Sequence, residues 1–121
     1  MNDLKNKMII LTGGLGLIGK ELTFFLAKNN AKIVVLDIKL SKELNKIKNF
    51  DSIKKKVFYF KCDVTNLNSL KKVLPKILKI SKKIDVVINN AALNDTLEGK
   101  PNPNLSKFEN FSIKNWNESL K

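Results

Sequence analysis

A glycine-rich stretch near the start of the chain constrains the fold more than any other feature. Gly14, Gly16 and Gly19 have the spacing Gly-x-Gly-x-x-Gly, with an apolar run before them and a helical pattern after them. Between a strand and a helix, such glycines allow a tight turn, a close approach of the backbone to a pyrophosphate, and packing of the helix on the strand. A phosphate would lie at the helix N-terminus, where free N–H groups favour an anion. The stretch therefore predicts a dinucleotide site, with an ordinary glycine turn as the alternative.

Apolar runs typical of buried strands alternate with helical patterns along the chain. The runs cover residues 7–12, 32–37, 57–62 and 84–89, and the helical patterns cover residues 18–27, 41–55 and 67–78. This alternation predicts an α/β fold with a parallel sheet and right-handed crossovers. We expect a doubly wound, Rossmann-type sheet with the strand order 3-2-1-4, which brings the glycine stretch and the carboxyl ends of the other strands to one edge.

Asp37 closes the second predicted strand, at the distance of about 20 residues from the glycine stretch where an acidic side chain accepts hydrogen bonds from an adenosine ribose. Because its charge would repel the extra phosphate of NADP, Asp37 favours NAD as the cofactor. Taken alone, an aspartate here is more typical of a strand-end turn or cap. Its position after the glycine stretch is what favours the ribose.

The composition argues against several other kinds of site. With one cysteine, Cys62, and no histidine, the chain has no plausible Cys/His metal cluster or Cys–His nucleophile pair, so no metal site is predicted. No apolar run approaches the roughly 18 residues of a membrane span, and the N-terminus lacks the layout of a signal peptide. We therefore expect a cytoplasmic protein without a membrane partner.

The net charge of +12 raises the question of nucleic acid, since clustered cations bind phosphate backbones by releasing counterions. All 23 basic residues are lysines scattered along the chain, and arginine, which makes the commonest specific base contact, is absent. We interpret the charge as a biased composition with solvated helix faces, and we expect no nucleic-acid partner. A basic nucleic-acid-binding protein stays an alternative.

Together these motifs resemble the short-chain dehydrogenase/reductase family over essentially the whole chain. The matching segments are 12–19, Asp37, 62–65, 84–92, and 108–111 with Trp116. The resemblance implies that the glycine segment surrounds the pyrophosphate, that Asp37 holds the adenosine ribose, that 63–64 contact adenine, and that 89–91 support the central strand and the ribose. The cofactor-binding residues so predicted are Gly13, Gly14, Leu15, Gly16, Leu17, Ile18, Gly19, Asp37, Asp63, Val64, Asn89, Asn90 and Ala91.

The glycine stretch departs from the classical family pattern at two positions. Leu17 stands where that pattern has glycine, and Gly16 stands where it has serine or a similar residue. The glycine spacing is closer to the extended branch of the family, whereas segment 89–92 is closer to the classical branch. This mixture resembles members associated with surface-sugar or flagellin modification, which implies a sugar-pathway intermediate as a candidate substrate.

A second departure concerns catalysis. Family members use a tyrosine acid/base, a lysine four residues later, a serine and an assisting asparagine, and the lysine lowers a tyrosine pKa of about 10. The only tyrosine here is Tyr59, which is followed by Phe60-Lys61-Cys62-Asp63 and reads as a strand residue. No Tyr-x-x-x-Lys is present, so no catalytic residue is predicted.

These observations predict one NAD(P)-binding Rossmann domain over 1–121, incomplete at its C-terminus. A long polar loop is expected over about 93–112, followed by the start of a helix at 113–121 with Ser112 as its N-cap. The resemblance implies the cofactor-binding half of an oxidoreductase that is inactive alone, whose complete form acts on a small-molecule hydroxyl or carbonyl substrate and is a homo-oligomer. A stand-alone module that binds NAD without chemistry is the other alternative.

Overall fold

The computed structural model describes residues 4–93, 107–110 and 112–121. By its internal contacts the chain divides into two units, Met1–Ala91 and Ala92–Lys121. The strands of the first unit are β1 (Met8–Thr12), β2 (Lys32–Asp37), β3 (Val57–Lys61) and β4 (Val86–Ile88). Its α-helices are α1 (Leu17–Lys28), α2 (Phe50–Ile53) and α3 (Leu67–Ile80). The second unit contains a 3₁₀ turn (Phe108–Asn110) and helix α4 (Ile113–Ser119).

The strands form one parallel sheet with the order β3-β2-β1-β4, which confirms the predicted topology. Ile9 of β1 pairs with Ile33 of β2 on one side and with Val86 of β4 on the other, and Ile33 pairs with Val57 of β3. All of β1 is buried, and so is all of β2 except Lys32. Strands of a parallel sheet read as continuous apolar runs because helices cover both of their faces. That burial is why the runs of β1 and β2 are recognisable in the sequence.

Two hydrophobic cores lie on opposite faces of the sheet, since successive strand residues point to opposite sides. The core on the α1 and α2 face comprises Ile9, Leu11, Leu15, Ala27, Ala31, Ile33, Val35, Ile47 and Ile53. The core on the α3 face comprises Met8, Ile10, Val34, Leu36, Cys62, Val73 and Ile77. With both faces packed, β1 and β2 are held between the two cores up to their carboxyl ends.

The segment 41–55, predicted as one helix, is broken, and this prediction was wrong. It contains a 3₁₀ turn at Ser41–Lys46 and the short α2, with a second 3₁₀ turn at Lys54–Lys56. Between the first 3₁₀ turn and α2, Ile47 has an extended backbone and is buried in the core on the α1 face, and Asn49 has a left-handed φ of 52°. Asparagine tolerates that conformation better than most residues. Burial of Ile47 therefore outweighs the helical spacing of the apolar residues.

Polar side chains cap the helices that follow. Asn66 begins α3 by accepting hydrogen bonds from the backbone N–H groups of Asn68 and Ser69, at 2.9 and 3.2 Å. Ser112 begins α4 by accepting one from the N–H of Asn115 at 3.0 Å, as predicted. Most of the predicted 93–112 loop lies outside the described residues. In the part of the chain that the structure describes, no helix is both long and apolar enough to cross a membrane.

Asp85 joins the amino end of β4 to the amino end of β1. Its Oδ2 accepts a hydrogen bond from the Met8 N–H at 2.9 Å, and its own N–H donates to the Met8 carbonyl at 2.9 Å. The Lys83 ammonium lies 2.8 Å from Oδ1, and that of Lys7 lies 3.8 Å away. The hydrogen bond from Lys83, followed by that from Met8, lowers the pKa of Asp85 below its ordinary value.

We expect Asp85 to make the fold sensitive to acid. A carboxyl group whose pKa is lowered by folding contributes stability that is fully present above its ordinary pKa of 3.8 and is lost as the pH falls through the lower folded value. The urea midpoint of the wild type should therefore fall more steeply on acidification than that of Asp85→Asn, which cannot titrate. The matched control is Asp51→Asn, because the Asp51 side chain is 94% exposed in its pair with Lys54. Identical pH profiles for the wild type and Asp85→Asn would contradict this role.

Candidate functional site

The glycine segment forms the turn between β1 and α1, and its backbone contacts the ends of two other strands. Gly13 has a φ of +63°, which favours glycine, and its N–H donates to the Leu36 carbonyl at 2.8 Å. A Cβ on Gly13 would lie 2.8 Å from the Cα of Ala91. The turn is thus held between the end of β2 and the residues after β4.

Two further glycines are required by packing, and one is not. A Cβ on Gly14 would lie 2.7 Å from Cγ1 of Val35, and a Cβ on Gly19 would lie 2.1 Å from the Gly13 carbonyl oxygen. At Gly16 the nearest heavy atom would be the Gly13 oxygen at 3.3 Å. Gly16 is therefore the least crowded of the three positions, and we call it the open side of the turn, although a Cβ there would still lie in tight contact with the Gly13 oxygen.

Helix α1 starts at this open side. Gly16 is its N-cap, and its first turn has neither a side-chain cap nor an acidic residue. The side chains of Leu17 and Ile18 are 71% and 63% exposed. Backbone N–H groups in the first turn of a helix have no partner within the helix, and the positive end of the helix dipole favours an anion there. The N-terminus of α1 therefore offers backbone N–H donors to an anionic ligand.

Asp37 is buried beside this turn, with 6% of its surface exposed. Its Oδ2 accepts a hydrogen bond from the Leu15 N–H at 2.8 Å, and its Oδ1 accepts one from the Lys39 N–H at 2.9 Å. The Leu15 side chain is itself fully buried in the core on the α1 face, so only its backbone belongs to the site. Since each carboxylate oxygen can accept a second hydrogen bond, Asp37 can hold the turn and also receive ligand hydroxyls.

Tyr59 lies in β3, as predicted, and its hydroxyl donates to the backbone carbonyl of Lys39. Burial, followed by the nearby charge of Asp37, raises the pKa of Tyr59 above its ordinary value of 10.0. The hydroxyl is therefore protonated at neutral pH and available as a donor.

Asn90 joins the glycine turn to the residues after β4. Its side-chain Nδ2 donates to the carbonyls of Thr12 and Gly13 at 3.2 and 3.1 Å. In return the Thr12 Oγ1 accepts from the N–H groups of Asn90 and Ala91, each at 3.0 Å. The predicted site residues include Asn90 but not Thr12, whose signal in the sequence is a hydroxyl residue at the end of a buried strand directly before the glycines.

The other predicted residues lie further along the same edge. Val64 and Asn89 help to line a concave region of about 390 Å³ between β1 and α3. Asp63 is exposed, and its Oδ1 accepts hydrogen bonds from the N–H and hydroxyl of Thr65 at 2.9 and 2.7 Å. Asp37 and Asn90 each form hydrogen bonds with the backbone of the glycine turn.

Among residues 4–93, 107–110 and 112–121, no group of three or more Cys, Asp or Glu side chains could hold a metal ion. Cys62 is a free, buried thiol in the core on the α3 face. The Ser69 hydroxyl donates a hydrogen bond to the Cys62 sulfur at 3.6 Å.

Comparison with known proteins covers nearly the whole chain. Residues 7–121 match the family model described as short chain dehydrogenase. Alcohol dehydrogenase 2 of Ceratitis capitata is 36% identical over 119 aligned positions, which cover 81% of this chain and 45% of that protein. A short chain dehydrogenase structure from Bacillus anthracis has 26% identity and a TM-score of 0.71, covering 94% of this chain and 44% of that one. The structure of NAD⁺-bound xylitol dehydrogenase has 26% identity and a TM-score of 0.65, and the match covers 75% of this chain and 35% of that one. The chain thus spans less than half the length of these relatives.

Proposed function

Since the chain belongs to the short-chain dehydrogenase family, we propose that it is the NAD-binding half of an oxidoreductase and that the cofactor binds at the glycine turn. The observation that carries this proposal is Asp37, a buried carboxylate hydrogen-bonded to the turn through the Leu15 N–H at 2.8 Å. It lies beside a helix end that has no side-chain cap. A carboxylate and free N–H donors in this arrangement suit a ribose and a pyrophosphate, respectively.

The shape of the turn supports the pyrophosphate assignment. Gly13, Gly14 and Gly19 are needed for the turn to pack, while a Cβ on Gly16 would face open space apart from one atom at 3.3 Å. The absence of a side chain at Gly16 is therefore useful to a ligand rather than to the fold. Leu17 and Ile18 would flank the phosphates as exposed apolar residues.

Asp37 supports NAD over NADP. An adenosine ribose with two free hydroxyls would donate to the carboxylate oxygens, whereas a 2′-phosphate would bring a second negative charge against a buried one. Asp63 and Val64 are the proposed adenine contacts, and Asn89 would support the central strand and the ribose. Val64 and Asn89 both line the concave region of about 390 Å³. Asn90 would act through the turn that it holds in place.

When bound, the nicotinamide would exchange a hydride with a hydroxyl or carbonyl substrate. The relatives named alcohol dehydrogenase and xylitol dehydrogenase support that substrate class, and a sugar-pathway intermediate stays the narrower candidate. The chain itself has no Tyr-x-x-x-Lys, so we propose that it binds and orients the cofactor without catalysing alone. We also propose that the complete enzyme is a homo-oligomer and that it has neither nucleic acid nor a membrane as a partner.

Titration of the 121-residue chain with NADH tests this proposal. We expect saturable binding with one site per chain, competition by ADP-ribose, and weaker competition by its 2′-phosphorylated form. Incubation with NAD and an alcohol or polyol should yield no NADH. Failure to bind NADH, together with DNA affinity that falls steeply with added salt, would instead support the nucleic-acid alternative.

A further inference from the structure

We propose that Tyr59 is a positioning residue for the cofactor site: its hydroxyl holds the backbone of Lys39 so that the Asp37 carboxylate is presented to the adenosine ribose. The inference rests on the proposed NAD site and adds to it a residue from a strand that contributes no ligand contact of its own.

Three consecutive hydrogen bonds connect Tyr59 to the glycine turn. The Tyr59 hydroxyl donates to the Lys39 carbonyl, and the Lys39 N–H donates to Oδ1 of Asp37 at 2.9 Å. Oδ2 of Asp37 accepts from the Leu15 N–H at 2.8 Å. The two carboxylate oxygens are thus oriented from opposite sides, one by the glycine turn and the other by a segment that Tyr59 holds.

The Tyr59 ring is a firm support for this contact. β3 pairs with β2 in the register Val35 to Tyr59, and the ring packs against the hydrophobic core on the α1 face. The segment that it holds is different, because Ile38 and Leu40 are 60% and 54% exposed and bury little apolar surface. The hydrogen bonds from Tyr59 and to Asp37 are therefore among the contacts that order residues 38–40.

Loss of the hydroxyl should affect the two forms of the cofactor differently. NAD would bind to an oriented carboxylate, and its affinity should fall when Oδ1 loses a fixed partner. The 2′-phosphate of NADP would be repelled by that same carboxylate, so the affinity for NADP should rise if the carboxylate could turn away. We expect Tyr59→Phe to narrow the preference for NAD over NADP by about five-fold, the size of one ordinary hydrogen bond.

The test compares the wild-type chain with Tyr59→Phe and with Ser81→Ala. The phenylalanine keeps the ring and its packing. The control removes a similar bond in the connection between α3 and β4, where the Ser81 hydroxyl donates to the Lys83 carbonyl at 2.8 Å. Two quantities are measured: the affinities for ADP-ribose and 2′-phospho-ADP-ribose, and the hydrogen exchange rate of the Lys39 amide without ligand.

The inference holds if Tyr59→Phe speeds exchange at Lys39 and lowers the affinity ratio of the two probes while Ser81→Ala changes neither. It is overturned if exchange at Lys39 is unchanged, or if exchange rises and the ratio stays at the wild-type value, which would mean a purely structural bond. A wild-type chain that binds neither probe overturns the proposed function, and this inference with it.

Discussion

Replacing Gly19 with alanine is expected to lower the free energy of unfolding by about 3 kcal/mol or more, a large part of the stability of a small domain. The new Cβ would lie 2.1 Å from the Gly13 oxygen and 2.7 Å from the Gly14 Cα, both of them backbone atoms of the turn. Relief would require the turn to move away from α1, and the turn is itself tied to Leu36 and Asn90. Thermal unfolding followed by circular dichroism measures the loss, and we expect the midpoint to fall by about 10 °C or more.

Gly16→Ala is the matched control for Gly19→Ala. At Gly16 the φ of −73° suits any residue, and the nearest atom to a new Cβ would be 3.3 Å away. We expect its unfolding free energy to stay within about 1 kcal/mol of the wild type. Its NADH affinity should nevertheless fall, because the methyl group would occupy the open side of the turn. Equal stability losses in the two variants would refute the division between glycines needed for packing and a glycine needed for the ligand.

Removal of the Asp37 carboxylate should have the largest effect on binding. Asp37→Ala would remove the acceptor for both ribose hydroxyls, and charge-assisted hydrogen bonds contribute about 1.5–3 kcal/mol each. We therefore expect NAD affinity to fall by about 100-fold. The same change leaves the Leu15 and Lys39 N–H groups without this acceptor, so the unfolding free energy should also fall by about 2 kcal/mol.

Asp37→Asn separates the charge of this side chain from its shape. Asparagine keeps the volume and one acceptor oxygen, so the fold should suffer less than in Asp37→Ala. Without the negative charge, the 2′-phosphorylated probe should no longer be repelled, and its affinity should approach that of ADP-ribose. Isothermal titration of both probes at a temperature where each variant is folded gives the comparison. If Asp37→Ala binds NAD within about two-fold of the wild type, Asp37 is only a support for the turn.

Much of the fold could be predicted because it depends on burial and on local geometry. β1 and β2 are buried on both faces and appear in the sequence as unbroken apolar runs. The start of α3 could be predicted from Asn66, since capping involves only neighbouring residues. The prediction of one helix over 41–55 was wrong because a tertiary contact decided the structure there. The Ile47 side chain is buried in the core on the α1 face, and the helical spacing of apolar residues does not indicate that burial.

For the candidate site as well, one part could be predicted from the sequence and another part could not. By itself, the sequence determined which residues reach the edge of the sheet, because glycine spacing, strand order and the position of Asp37 follow from the chain's local pattern. Only the tertiary structure decided which atoms meet: Asp37 with Leu15, 22 residues apart, Tyr59 with Lys39, 20 apart, and Thr12 with Asn90, 78 apart. Such contacts depend on the register of neighbouring strands, where a shift of one residue would turn each side chain to the other face. That register is set by packing of the whole sheet, and no single segment encodes it.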